Sequence, residues 1–201
     1  MPISETVFTD GSVPVMAYDP FRATARDGDI MLCSGSAVFS TLIQKATGSI
    51  FSHVGFVMWL RSIDRLMVLE SVESIGVRTV PLSSYLINYN GTGAGYPGRV
   101  LIARHADIAN VPLNAGFGQF AVDRFGFPYD KDEIIRIATH IASGGLLAGG
   151  NLQDARQYIC SEYAAACFRS LGIAVQQRNQ GFIAPSDFAA DPKIAGTAIL
   201  R

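Results

Sequence analysis

Charge is what this chain has least of. Charged residues fill 16% of its 201 positions, where a typical soluble domain carries roughly 25%. The charges that exist nearly cancel, with 16 Lys and Arg against 17 Asp and Glu. A balance of that kind leaves no basic footprint for a polyanion, so nucleic acid is not an expected partner. Low charge beside a 49% hydrophobic composition predicts apolar surface that something covers. Oligomer contacts, a larger assembly or an acyl substrate would each do so.

Long hydrophobic runs are also missing. The most apolar stretch, Ile134 to Leu147, is broken by His140, Ser143, Gly144 and Gly145 and is too short to cross a bilayer. Met1 to Phe21 lacks the basic-then-apolar pattern of a secretory signal, so a soluble, cytoplasmic protein is expected. Cysteine is scarce as well. Cys33, Cys160 and Cys167 give neither an even-numbered disulfide framework nor a CxxC pair. On one helix, Cys160 and Cys167 would stand roughly 10 Å apart along the axis, too far to bridge. No His, Cys and carboxylate group has metal-ligand spacing, so neither metal nor organic cofactor is expected.

The length fits one domain with a core of its own. Residues 1–26, with scattered Pro and Gly, read as an extended lead-in, and residues 27–201 as the working domain. Asp27-Gly28-Asp29 is a turn signal before a buried strand, Ile30 to Cys33. A helix capped by Ser36 follows, stopped by Thr47-Gly48. Ser52 to Leu60 and Leu66 to Val72 form a hairpin around the polar loop Arg61 to Arg65, and Gly76 to Val80 and Val100 to Arg104 are further strands. These imply an α+β fold with a small antiparallel sheet or barrel packed against helices. Helices are expected over Pro112 to Phe125, over Ile134 to Ser143 behind an Asp130/Glu133 capping box, and from about Tyr158 to Leu171 with Gly172 as the stop.

Chemistry concentrates in Gln157-Tyr158-Ile159-Cys160-Ser161-Glu162-Tyr163. Cys160 falls in the first turn of its helix, where free N–H groups and the helix dipole favour a thiolate. Cys167, two turns further on, reads as a packing residue. A nucleophilic thiol needs a base, and the histidines are His53, His105 and His140. His53 opens a strand and shares a face with Gly55, which has no side chain to obstruct a thiol or substrate. His105 and His140 read as surface or packing residues. The imidazole in turn needs an orienting group. Glu70 shares a strand face with Leu66, Val68 and Val72, an odd place for an unpaired carboxylate. Glu73 competes, because a one-residue slip exchanges the faces.

These segments, in order, carry a resemblance. Gly28-Asp29-Ile30, Phe51-Ser52-His53-Val54-Gly55-Phe56-Val57, Val68-Leu69-Glu70-Ser71-Val72, Pro81-Leu82, Pro128-Tyr129-Asp130 and Tyr158-Ile159-Cys160-Ser161-Glu162 resemble the permuted papain-like amidases of the YiiX and YaeF type. Those proteins are circularly permuted relatives of the NlpC cell-wall peptidases. The order His, Glu, Cys is the permuted order, and the resemblance extends from residue 27 to about residue 187. It implies a papain-like fold of the permuted NlpC type, with Cys160 as nucleophile, His53 as base and Glu70 as orienting acid. Tyr129, Tyr158, Gly55 and Ser161 would contact substrate. The implied activity is a cysteine amidase or peptidase working through a thioester on an amide or isopeptide bond of a small peptide or peptidoglycan fragment. Two alternatives stand beside it: a thiol acyltransferase or esterase for lipid substrates, whose lecithin:retinol acyltransferase-like members share the order, and a structural module of a larger assembly, such as a phage particle.

Overall fold

The computed structural model describes residues 2–111, 115–132, 135–136, 139, 157–178 and 182–201. Its centre is a seven-stranded sheet. In chain order the strands are β1 (Val15–Met16), β2 (Ile30–Gly35), β3 (His53–Leu60), β4 (Arg65–Val72), β5 (Gly76–Pro81), β6 (Gly98–His105) and β7 (Ile194–Leu200). Across the sheet the order is β1-β7-β6-β2-β3-β4-β5. The sheet is open, and all neighbours are antiparallel except β1 with β7. The expected α+β architecture holds, whereas barrel closure does not occur. The helices are α1 (Tyr18–Arg22), α2 (Val38–Thr47), α3 (Leu82–Ile87), α4 (Ala115–Val122), α5 (Cys160–Ser170) and α6 (Pro185–Ala190). No helix among the described residues is long and apolar enough to cross a membrane.

Period-two alternation divides the core between the two faces of the sheet. Ile30, Leu32, Val54, Phe56, Leu69 and Leu101 meet Tyr163, Ala164 and Phe168 of α5 on one side. Met31, Cys33, Val57, Val68 and Ile102 meet Leu82 and Tyr85 of α3 on the other. Phe56 is the focus of the first layer, with Phe117, Tyr163 and Phe168 around its ring at 5.5–6.1 Å. Gly28-Asp29-Ile30 has a structural reason. The fully buried Asp29 receives Arg104 Nε at 2.6 Å and Nη2 at 2.7 Å, a bidentate pair that ties the start of β2 to β6.

Several elements differ from expectation. Residues 2–26 carry β1 and α1, and Val7, Val13 and Phe21 lie in the core. Ser36 does not cap α2. Its hydroxyl donates to the Pro97 carbonyl, and Ala37 occupies the cap position without a side-chain bond. Gly48 does stop the helix, at φ +63°. The connection after β5 folds into α3, and α6 and β7 had no clear signal. In β7 the run Ala195-Gly196-Thr197-Ala198 is poor in β-formers, and it is held by pairing with β6 across a bulge at Ile102/Ala103. The N-terminal part of the helix expected from Pro112 lies outside the described residues, as do most of Ile134 to Ser143, His140, Glu133 and the loop Gly144 to Gly150.

The turn between β4 and β5 fixes one side of the site. Gly76 sits at φ +90°, and a Cβ there would fall 2.0 Å from the Phe127 carbonyl oxygen. Val77 N–H donates to that same oxygen and Gly126 N–H to the Val77 carbonyl, each at 2.9 Å, so residues 126–127 are stitched onto the edge of β5. Gly76→Ala meets both a left-handed backbone and a steric clash. It is expected to lower unfolding free energy by about 2 kcal/mol or more, measured by urea denaturation. A neutral substitution would show that this edge is not anchored as described.

Candidate active site

His53 stands at the first position of β3, 16% exposed at its side chain. Its Nε2–H donates to Glu70 Oε2 at 2.7 Å, which leaves Nδ1 as the nitrogen to meet a thiol. Glu70 is fully buried in β4. A carboxylate there needs compensation, and it has three partners. Arg78 Nε donates to Oε1 at 2.8 Å, from the directly opposed position on β5. The Tyr85 hydroxyl, from α3, donates to Oε2 in a short bond, and His53 is the third. Burial pushes the Glu70 carboxyl up, but the bonds and charges of His53 and Arg78 with the Tyr85 hydroxyl outweigh it and hold the group below its ordinary range. Gly55 belongs to this arrangement. A Cβ on it would lie 2.9 Å from the Leu69 carbonyl oxygen and 3.2 Å from Glu70 Cβ, so its bareness makes room for the Glu70 strand.

The cysteine arrives from far along the chain. Ser71 Oγ, next to Glu70, donates to the Tyr158 carbonyl at 2.7 Å, and Tyr158 N–H donates to the Pro128 carbonyl at 3.2 Å. These bonds set the start of α5 against β4. Each residue of Cys160-Ser161-Glu162 then has its own task. Glu162 Oε2 accepts the Ile159 N–H at 3.2 Å, as in the acidic half of a capping box. Ser161 Oγ donates to the Ile183 carbonyl at 2.7 Å. Cys160, at the first position of the helix, lies near enough to the His53 side chain to act on its proton. Desolvation depresses the His53 pKa, yet the hydrogen bonds to Cys160 and Glu70 and their charges raise it to about 10.

The structure therefore brings Cys160, His53 and Glu70 into one chain of contacts. Glu73 is exposed beyond the end of β4 and does not take the place of Glu70. The other thiols are packing groups. Burial pushes Cys33 well up, and pushes Cys167 up to about 12. His105 is buried against Phe168, with Nδ1 accepting the Asp107 N–H.

The four expected substrate contacts separate. Tyr129 lines a cleft with His53 and Glu73, and burial, then the charge of Cys160, pushes its hydroxyl up. Tyr158 is a correction. It is 5% exposed, its ring stacks on Phe127 and its hydroxyl accepts from Arg124 Nε at 3.0 Å, so its side chain belongs to the core. Ser161 and Gly55 are positioned as above, with the serine hydroxyl already spent on Ile183. Arg78 and Tyr85 were missed. Arg78 was readable in principle as the one charge in a predicted strand that would pair with the Glu70 strand. Tyr85 lies in a connection whose helix had no clear signal.

Comparison with known proteins adds the relationships. The chain matches the family described as permuted papain-like amidase enzyme, YaeF/YiiX, C92 family, over residues 24–138, a span that contains His53 and Glu70 and ends before Cys160. Among solved structures it is similar to the crystal structure of metalloprotein yiiX from Escherichia coli O157:H7, at 20% sequence identity and a TM-score of 0.61, over 86% of this chain and 96% of that one. No curated protein matches. That neighbour is described as a metalloprotein. Among the described residues here, no group of three His, Cys, Asp or Glu side chains could hold a metal ion.

A raised His53 pKa has a sign that can be tested. The folded value of about 10 lies above the unfolded value of about 6.5. The pairing therefore contributes its full stability below about pH 6.5 and loses it as pH rises through about 10. NMR titration of the imidazole should show His53 still protonated at pH 8, and Cys160→Ala, which deletes one raising partner, should move the midpoint down. A wild-type midpoint near 6.5 would mean that the pair is not coupled.

Proposed function

This chain belongs to the permuted papain-like amidases of the YaeF/YiiX type, and from that premise we propose that it is a cysteine hydrolase that cleaves an amide or ester through a thioester. One observation carries the reading: the continuous path from Cys160 through His53 to the fully buried Glu70, held by Arg78 and Tyr85. A scaffold protein has no need of a charged, desolvated row of that kind beside a thiol at a helix N-terminus.

The geometry supports a thioester mechanism. His53, acting as base, takes the thiol proton of Cys160. Cys160 Sγ attacks the carbonyl carbon. The first N–H groups of a helix lack intrahelical partners, and at the start of α5 these would receive the developing oxyanion. His53 gives its proton to the leaving nitrogen or oxygen, the C–N or C–O bond breaks, and a thioester remains. Water then loses a proton to His53 as it attacks the thioester, releasing the acid and restoring the thiol. Glu70 fixes the ring and stabilises its charge, with Arg78 and Tyr85 fixing Glu70 in turn. Tyr129 borders the entry of substrate. The natural substrate class proposed from the family is a small amide, and a peptide or peptidoglycan fragment fits that description.

Alkylation and turnover test this together. Cys160 is itself 2% exposed but borders a cleft, so iodoacetamide at pH 6 should modify it first, ahead of Cys33 and Cys167 in the core. Cys160→Ala should abolish turnover of a thioester-forming substrate, and Glu70→Gln should reduce kcat on the order of 10²-fold or more. Glu73→Gln should leave kcat within a few-fold of wild type. Equal labelling of all three thiols in the native protein, or full turnover by Cys160→Ala, would remove the nucleophile.

A further inference from the structure

Glu70 is faced by three groups, and two of them are held from one place. His53, Arg78 and the Tyr85 hydroxyl all bond to the buried carboxylate. Arg78 and Tyr85 are its supports, and each is braced in turn by the loop from Asn88 to Pro97 that follows α3. Arg78 Nη1 donates to Asn90 Oδ1 at 3.3 Å while its Nε donates to Glu70. Tyr85 is gripped twice. Its carbonyl accepts the Tyr96 N–H at 2.7 Å, and its ring packs against those of Tyr89 and Tyr96, with centroids at 5.0 and 5.6 Å.

The loop is built to keep those positions. Tyr89 N–H donates to the Ala94 carbonyl at 2.7 Å, and Asn88 Oδ1 accepts the Gly93 N–H at 2.8 Å. The rings of Tyr89 and Tyr96 meet edge to face at 4.9 Å. A Cβ on Gly95 would fall 2.7 Å from the Leu86 carbonyl oxygen, so the loop lies directly on α3. Tyr96 is wedged, since a Cβ on Gly35 or on Gly98 would collide with its side chain. Asn90 sits in left-handed backbone at φ +52°, a conformation that Asn adopts more readily than most residues. From there its amide oxygen reaches Arg78.

We infer that Asn90 and Tyr96 are positioning residues for the base: through Arg78 and Tyr85 they hold Glu70 in the place from which it orients the His53 ring. This inference rests on the thioester mechanism and adds to it the element on which the orienting acid depends. A buried carboxylate has no water to replace a partner that drifts away, so slack in either support is felt at Glu70. Burial then pushes the carboxyl up with less to oppose it. The pH at which Glu70 takes a proton and ceases to serve His53 rises accordingly.

Hydrolysis of p-nitrophenyl acetate by the full protein tests this, because nitrophenolate leaves without a proton and the rate reports His53 as a base. Asn90→Gly keeps the left-handed backbone and removes the acceptor. Tyr89 and Tyr96 line the cleft beside His53 and Asn90 does not, so the Asn90 variant should leave KM within about twofold of wild type. Its kcat should fall roughly threefold to tenfold, the net worth of one hydrogen bond, and the acid limb of the kcat profile should move to higher pH. Asn90→Asp, which keeps an acceptor and tolerates the same backbone, should restore both. Tyr96→Leu should lower kcat by about threefold or more in the wild type and change it little in a Tyr85→Phe background, where no hydroxyl is left to position. An unchanged kcat in Asn90→Gly, a loss of kcat with no shift of the acid limb, or equal losses from Tyr96→Leu in both backgrounds overturns the inference and leaves the thioester mechanism standing. Intact-mass measurement on the wild type separates the two readings: absence of an acetyl adduct on Cys160 overturns the mechanism and the inference with it.

Discussion

The rest of the site depends on one buried carboxylate. Glu70 is removed from water, and a charge in that position persists only while its partners hold it. Arg78 supplies the compensating charge, Tyr85 supplies a neutral donor, and the remaining bond is directed at His53. The ring nitrogen bonded to Glu70 is thereby fixed, and so is the orientation of the ring. Removing Arg78 would leave the carboxylate with His53 as its one positive partner beside the neutral Tyr85 hydroxyl, and breaking a buried pair generally costs about 3–5 kcal/mol. Stability of the sheet and readiness of the base are for this reason one problem. The strands that set Glu70 opposite Arg78 are the strands that build the core under Phe56 and Val68.

Permutation divides the assembly of this site in time and distance. His53, Glu70, Arg78 and Tyr85 come from a contiguous stretch of strands and a short helix, so the acid and base can form by local pairing. Cys160 must be carried in from beyond a long intervening segment. Its placement rests on the packing of α5 against the sheet and on main-chain anchors: the Tyr158 carbonyl on Ser71, the Tyr158 N–H on Pro128, and residues 126–127 on the edge of β5. Pro128-Tyr129-Asp130 is thus a bridge between the half of the chain that holds His53 and the half that holds Cys160. The side chain of Tyr129 is left free to border the cleft.

The sequence made the strands legible where alternation and turn residues agreed. β2, β3, β4 and β5 fall within a residue or two of their expected spans, because the Val, Phe and Leu runs are bounded by Asp-Gly, by the Arg61 to Arg65 loop and by the glycine that opens β5. β7 was hidden, since its pairing with β6 stabilises a segment too rich in Ala and Gly to announce itself. The site was legible through the oddity of Glu70, a carboxylate on an apolar strand face, and through Cys160 at a helix start. Its supports were not. Whether Arg78 meets Glu70 or its neighbour depends on register, which only the folded hairpin decides, and Tyr85 depends on how the following connection coils. Tyr158 was misread for a related reason: adjacency to a nucleophile in sequence says little about direction, and its ring turns into the core toward Phe127 and Tyr163.

Choosing a carboxylate rather than an amide to orient the histidine has a chemical consequence. An amide fixes the ring without adding charge, whereas Glu70 draws the imidazolium proton in and, with Cys160, holds it up to about pH 10. A general acid works best when its affinity for the proton is comparable with that of the atom it protonates. An imidazolium that gives up its proton only near that value is a weak acid, unsuited to hastening a good leaving group that needs little help. It is better matched to a basic one, such as the amine released from an amide. Under the proposed mechanism the ring would stay charged through the attack and yield its proton as the nitrogen becomes basic in the breakdown of the tetrahedral intermediate. Under the proposed mechanism, amide cleavage is the reaction that such an acid would serve best.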